Sequence, residues 1–222
     1  MSEAMTVETI VEAYWRLQGY WTRLRFPFQT DGGGWADIDV IAYHPEQKTF
    51  VISESKVRGP KKDVYAYTEY TRKKYGNIFE YDEDNYLAFL KYIKPICSKK
   101  LVFENFRGMV GKLIIQLVSN YYVENSELPK VKKDILKEIR DSIPKGVRPE
   151  IRLETTLDIL NEIIKLENSI PQGRRYGHPI IDIARELNRY LHPDIRYAGR
   201  EKREVDAIKG ILRKSFMDSL KL

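Results

Sequence analysis

The stretch "WADIDVIAYHPEQKTFVISESKV", Trp35 to Val57, decides how the rest of the chain folds. Both halves are rich in branched and aromatic residues, and the Pro45-Glu46-Gln47 connection between them is short enough for a hairpin. Two neighbouring strands are therefore expected, "WADIDVIAYH" and "KTFVISESKV". Side chains alternate across a strand, which sets Asp37 and Asp39 on one face and Ala36, Ile38 and Val40 on the other. Ile52, Glu54 and Lys56 likewise share a face of the second strand. Once the strands pair, Asp39 in one lies beside Glu54 in the other. Two carboxylates that close repel each other and are costly to desolvate, so the pair calls for a cation.

Outward from this hairpin, Val7, Ile10, Val11, Tyr14 and Leu17 recur at three and four spacing and predict an amphipathic helix that Gly19 ends. "YWTRLRFPFQT" predicts a first strand, and "DGGG" a turn or loop. Downstream, "KKDVYAYTEYTRKKYGNIF" and "EYDEDNYLAFLKYI" predict helices, and the continuous apolar run "KLIIQLVSNYYV" a central strand covered on both faces. "PKVKKDILKEIRDSI" predicts a helix with Pro129 near its first turn, "VRPEIRLETT" a strand, and "LDILNEIIKLEN" a helix. The pattern is α/β, a mixed central sheet flanked by helices over residues 1–168. "SIPQGRRYGHP" has the glycines and prolines of a linker. Beyond it, "IIDIARELNRYL" and "REVDAIKGILRKSFMDSL" predict a small C-terminal helical extension over residues 169–222. The connection "LHPDIRYAG" is long for a helix-turn-helix, which favours ordinary packing helices.

Composition narrows the chemistry. The chain has 222 residues and no apolar run near the roughly 20 that span a bilayer. Its first residues lack the basic head of a secretory signal, so a cytoplasmic protein with no membrane partner is expected. One cysteine, Cys97, excludes an internal disulfide and a cysteine zinc site. With three histidines, His44, His178 and His192, a histidine site is disfavoured and oxygen ligands remain. Magnesium suits carboxylates and water at roughly 2.0 to 2.1 Å. Lys56, two positions from Glu54, is placed to orient an attacking water or help deprotonate it. A formal charge of +6 and the clusters "RGPKKD", "TRKKYG" and "GRRYG" are compatible with a polyanionic partner.

The helix bearing Glu8, then three strands, "DIDVIA" and "FVISESKVR", resemble in order the PD-(D/E)xK nuclease superfamily, which includes restriction endonucleases and Holliday junction resolvases. The resemblance covers roughly residues 7–58. It implies a restriction endonuclease-like core and a metal-dependent endonuclease acting on DNA in restriction, repair or junction resolution. Asp39 matches the strand aspartate, Glu54 and Lys56 the acid and lysine, and Glu8 the helix glutamate, with Asp37 and Glu12 as alternates. The metal ligands implied are Asp39, Glu54 and the main-chain carbonyl of Ser55, with Mg2+ or Mn2+ as cofactor. The resemblance departs at Ile38, where the family has proline, and in the helix after the third strand, where no glutamine is evident. A homodimer is an expectation, since cutting both strands of a duplex calls for two sites.

Blander readings stand beside this one. Asp37, Asp39, Glu54 and Lys56 would in that case be a solvated strand face with weak ion pairs, and the chain an inactive nucleic-acid-binding or scaffolding protein of the same fold. Ser53 and Ser55 have no neighbouring histidine, which argues against a serine nucleophile. "DGGGW" lacks the lysine of a phosphate-binding P-loop. Trp15, Trp21 and Trp35 are expected in the core or at a site wall, and Tyr65, Tyr67, Tyr70 and Tyr75 in partly buried helix packing.

Overall fold

The computed structural model describes residues 3–29, 32–56, 65–78, 109–169, 177–193 and 199–219. Helix α1 (Glu3–Leu17) is followed by strands β1 (Trp21–Gln29), β2 (Trp35–His44) and β3 (Thr49–Lys56). β4 (Tyr65–Tyr67), α2 (Glu69–Tyr75), β5 (Lys112–Ser119) and β6 (Tyr121–Val123) come next. The described chain continues through α3 (Leu128–Ile139), β7 (Arg148–Thr155), α4 (Thr156–Ser169), α5 (Pro179–Leu191) and α6 (Lys202–Ser219). A five-stranded sheet has the order β1-β2-β3-β5-β7, antiparallel from β1 to β3 and parallel from β3 to β7. This is the mixed, helix-flanked α/β sheet that the sequence predicts.

The predicted hairpin forms with His44 opposite Thr49. Its turn is closed by Lys48 N–H donating to the Pro45 carbonyl at 3.3 Å, with Lys48 in the left-handed region at φ 49°. The Lys48 carbonyl then accepts from Gly111 and Lys112 at 2.8 and 3.2 Å, which pins the start of β5 against the hairpin. α1 ends as expected at Gly19, φ 86°, whose N–H donates to the Arg16 carbonyl. The face of α1 predicted apolar is buried, together with Trp15.

Two faces of the sheet are covered differently. Trp15 Nε1 on α1 donates to Gln116 at 2.9 Å, and Arg152 donates to the Tyr14 hydroxyl at 3.1 Å, so α1 covers the face that carries Gln116 and Arg152. The opposite face holds Phe50, Ile52, Leu113, Ile115 and Leu117, packed with Val131, Ile135 and Ile139 of α3. Those three α3 residues recur every four positions, which keeps one apolar stripe on the sheet.

The segment from Lys61 departs from the predicted helix. Tyr65–Tyr67 is a strand, parallel to β6 in a separate two-stranded sheet, and only Glu69–Tyr75 is helical. Thr68 explains the boundary. Its hydroxyl accepts from Thr71 N–H while the Thr71 hydroxyl accepts from Thr68 N–H, a reciprocal cap that starts the helix there. Tyr67 is buried, but Tyr70 and Tyr75 are exposed, so three neighbouring tyrosines do not share one environment. The apolar run after Lys112 also divides, β5 entering the main sheet and β6 the small one. The helix expected over "EYDEDNYLAFLKYI" and the burial expected of Cys97 lie outside the described residues.

The chain separates into two compact units, 1–159 and 160–222. The division falls inside α4, several residues before the linker composition that suggested 168/169. Within the second unit, the His178 ring accepts from Ile180 N–H at 3.3 Å and caps α5, Arg185 pairs with Glu167, and Tyr190 stacks on Phe216. The described residues include no helix long and apolar enough to cross a membrane.

Candidate active site

The β2–β3 pairing ends one residue short of Asp39 and Glu54. The last paired residues are Val40 and Ser53, and continuing that register one step sets Asp39 opposite Glu54. Both side chains are buried, as is Glu8 of α1. Asp39 Oδ2 accepts two hydrogen bonds from Ser55, from its N–H at 2.7 Å and from its Oγ at 2.8 Å. The charge of Asp39 is also close enough to Glu8 to act on it. Burial, and after it the Asp39 charge, raises the Glu8 carboxyl above the ordinary glutamate range, while Arg25 opposes the rise.

Arg25 is the residue that sequence reasoning missed. It is non-glycine yet left-handed at φ 48°, and its guanidinium donates to Glu8 at 2.7 Å and to Asp37 at 3.1 Å. No β1–β2 partner is recorded at Arg25 and Asp39, although pairing runs on at either side in the same register. The break has a consequence for alternation. Strict alternation sends Ile38 and Ile41 to opposite faces, yet both belong to the single cluster with Phe28, Phe50 and Ile52. Asp37 and Asp39 both stand near Glu8 and Arg25, on which the charges of both act, so the break does not separate them. Asp39 is 9% exposed, whereas the Asp37 side chain is 39% exposed and paired with Arg25.

Other predicted residues separate by register. Glu54 pairs with Leu117, which lies in the cluster under α3, and Ser55 pairs with Val118 on the face that α1 covers. Glu54 and Ser55 therefore leave β3 on opposite faces, with Asp39 at the divergence between them. Lys56 ends β3 in register with Ser119; its side chain lies outside the described residues. Glu12, the alternate helix acid, turns to β1 and accepts from the Thr22 hydroxyl at 3.0 Å. Glu8 is thus the α1 acid that reaches Asp39.

The donor set is oxygen-rich. Glu8, Asp37, Asp39 and Glu54 are four carboxylates, and Arg25 is the described cation hydrogen-bonded to any of them. Asp39 uses only Oδ2 for Ser55, which leaves Oδ1 for another electropositive partner. Carboxylate oxygens are donors of the kind that a divalent cation such as Mg2+ takes. Among the described residues, no three or more His, Cys, Asp or Glu side chains are arranged to hold a metal.

Beside the site, a polar row crosses the α1-covered face. Gln116, fully buried, accepts from Trp15 and donates to Glu154 at 2.6 Å, while Arg152 lies 5.3 Å over the Trp15 ring. Desolvation raises the Glu154 carboxyl above its ordinary range, with the Gln116 hydrogen bond opposing it. Trp15 is therefore core, as expected. Trp21 and Trp35, by contrast, are 73% and 76% exposed, because β1 and the start of β2 present those positions to solvent.

Comparison with protein-family models, with curated proteins and with solved structures gives no match.

Proposed function

We propose that the protein is a metal-dependent nuclease that hydrolyses DNA phosphodiester bonds. The observation that carries this reading is Asp39, buried at the end of the β2–β3 pairing, held by Ser55 and close enough for its charge to act on Glu8 of α1, with the buried Glu54 next to Ser55 in β3. Buried acids drawn from a helix and two strands are costly to desolvate, and a bound cation would offset that cost. Asp39, Glu54 and the Ser55 carbonyl would hold Mg2+ or Mn2+. When bound, the ion would supply Lewis acidity at the scissile phosphate and a water of lowered pKa.

The protein's own groups have separate tasks. Ser55 fixes the Asp39 carboxylate through two donors to one oxygen, so that the other stays turned to its ligand. Glu8, which keeps its proton to higher pH than an ordinary glutamate, holds or accepts a proton beside Asp39. Lys56 orients the attacking water or offsets developing negative charge on the phosphate. Action on cytoplasmic DNA, with a homodimer supplying two sites for duplex cleavage, completes the reading.

The test is incubation with plasmid, single-stranded and branched DNA, with Mg2+, with Mn2+ and with EDTA. Cleavage that EDTA stops, and that Asp39→Ala and Lys56→Ala each abolish with the fold intact, is expected. Metal-independent binding without cleavage would instead assign the chain to an inactive binding or scaffolding role.

A further inference from the structure

Beside α3, a cleft of about 880 Å3 opens between this helix and residues 143–149. Its rim carries Lys132, Lys133, Lys137, Arg140 and Lys145 against a single acid, Asp134. None of these five cations forms a salt bridge with a described acid. By contrast, Lys73 pairs with Glu69, Lys165 with Glu162 and Arg189 with Glu186 along their helices. The floor is Leu136, Ile143 and Val147, which rest on the core cluster, so the groove is rigidly backed. Nothing in the candidate active site uses any of these residues.

We infer that this groove binds the sugar-phosphate backbone of a single DNA strand. Lys133 and Lys137 of α3 and Arg140 just past its end follow one another at four and three positions, which spaces them over about 10 Å. A row of unpaired cations at that spacing meets successive phosphates, and each contact formed releases condensed counterions. The apolar floor takes sugar and base surface without reading it. The lining includes no aromatic ring for stacking and no Asn or Gln for base edges, so recognition is by backbone charge and not by sequence. A concave cleft of this size receives one strand. The inference rests on the nuclease reading only for the choice of DNA as the polymer.

The experiment measures binding of a fluorescein-labelled 20-mer oligothymidylate to the full chain in EDTA, by anisotropy across a salt series, so that no cleavage intervenes. Replacing Lys133, Lys137 and Arg140 together by Gln should weaken binding at least tenfold. It should also flatten the dependence of log K on log salt by about 0.7 for each phosphate contact removed, roughly two units in all. All three side chains are exposed, and an unchanged Tm will confirm that the fold is intact. A control with the same loss of charge, Lys202, Arg203 and Arg213 to Gln, should leave affinity and slope within twofold. Equal losses in the two triple variants, or none in the groove variant, would overturn the inference. So would binding of ATP with no measurable binding of the oligonucleotide, which would assign the groove to a small anion. Groove-dependent binding without metal-dependent cleavage would refute the nuclease proposal and leave this one standing.

Discussion

Ser55 donates both its main-chain N–H and its hydroxyl to one oxygen of Asp39, Oδ2, at 2.7 and 2.8 Å. Hydrogen bonds to a charged acceptor are worth about 1.5–3 kcal/mol each, and here two of them come from one residue at the point where the strands part. Ser55→Ala keeps the N–H and removes the hydroxyl. Urea unfolding of this variant should show a loss of about 1.5–3 kcal/mol at neutral pH. The same variant should cleave DNA more slowly than wild type, because the carboxylate is held by one donor instead of two. Wild-type stability in Ser55→Ala would mean that the hydroxyl contributes nothing to fixing Asp39.

Glu8 couples folding to pH. Its native carboxyl is raised, by burial first and by Asp39 second, so the folded chain binds this proton more tightly than the unfolded chain does. Stability associated with Glu8 is then full below the ordinary carboxyl range and is lost as pH rises through the raised native value. Glu8→Gln stays neutral throughout and retains an oxygen to accept from Arg25. Its Tm should match wild type at pH 4 and exceed it at pH 7. A constant difference between the two proteins across that range would dispose of the coupling.

The left-handed backbone of Arg25 allows a comparison of two truncations. Both Arg25→Ala and Arg25→Gly remove the guanidinium from Glu8 and Asp37, but only alanine retains the Cβ penalty at φ 48°. The glycine variant should be the more stable by about 1–2 kcal/mol, against the usual preference for alanine over glycine. Chemical denaturation of the pair measures it. An alanine variant at least as stable as the glycine variant would show that the strand relaxes out of the left-handed region once the ion pairs are gone.

Ile135 is fully buried at the centre of the α3 stripe, between Val131 and Ile139 and over the sheet. Ile135→Ala should cost about 2–5 kcal/mol, as large-to-small changes in packed cores do. The neighbouring groove lysines offer the contrast. Lys137→Ala, on the solvent side of the same helix, should stay within about 0.5 kcal/mol of wild type in the same urea titration.

Much of the fold was legible because its signals are local. Pro45 to Lys48 between two alternating runs specify a hairpin, and the spacing of Val7, Ile10, Val11, Tyr14 and Leu17 specifies α1 with its buried face. Tyr65–Tyr67 was illegible for the opposite reason. Its partner, Tyr121–Val123, lies 56 positions away in register, and pairing over that distance overrides a helix-like pattern. The site divides in the same way. The burial of Asp39 and Glu54 at the end of the hairpin falls on residues that the sequence singles out, while the Ser55 hydroxyl and the Arg25 bridge depend on where the strands diverge, which residue types do not record. Nor did residue type report exposure for Trp21 and Trp35, since an aromatic side chain marks a strand without marking its inner face.

The central strands β3 and β5 pair Thr49 with Lys112, so the middle of the sheet is closed by residues 63 positions apart, whereas β2 and β3 are joined by four. Entropy of ring closure grows only with the logarithm of length, about 0.6 kcal/mol for each doubling, so the detour costs little at equilibrium but delays the search. The hairpin therefore condenses first and β5 arrives late. Pulse-labelled amide exchange during refolding should protect Val51 and Ile52 before Ile114 and Ile115; simultaneous protection would contradict this order. By the same arithmetic, lengthening or shortening the sequence between β3 and β5 should cost little stability and act mainly on folding speed.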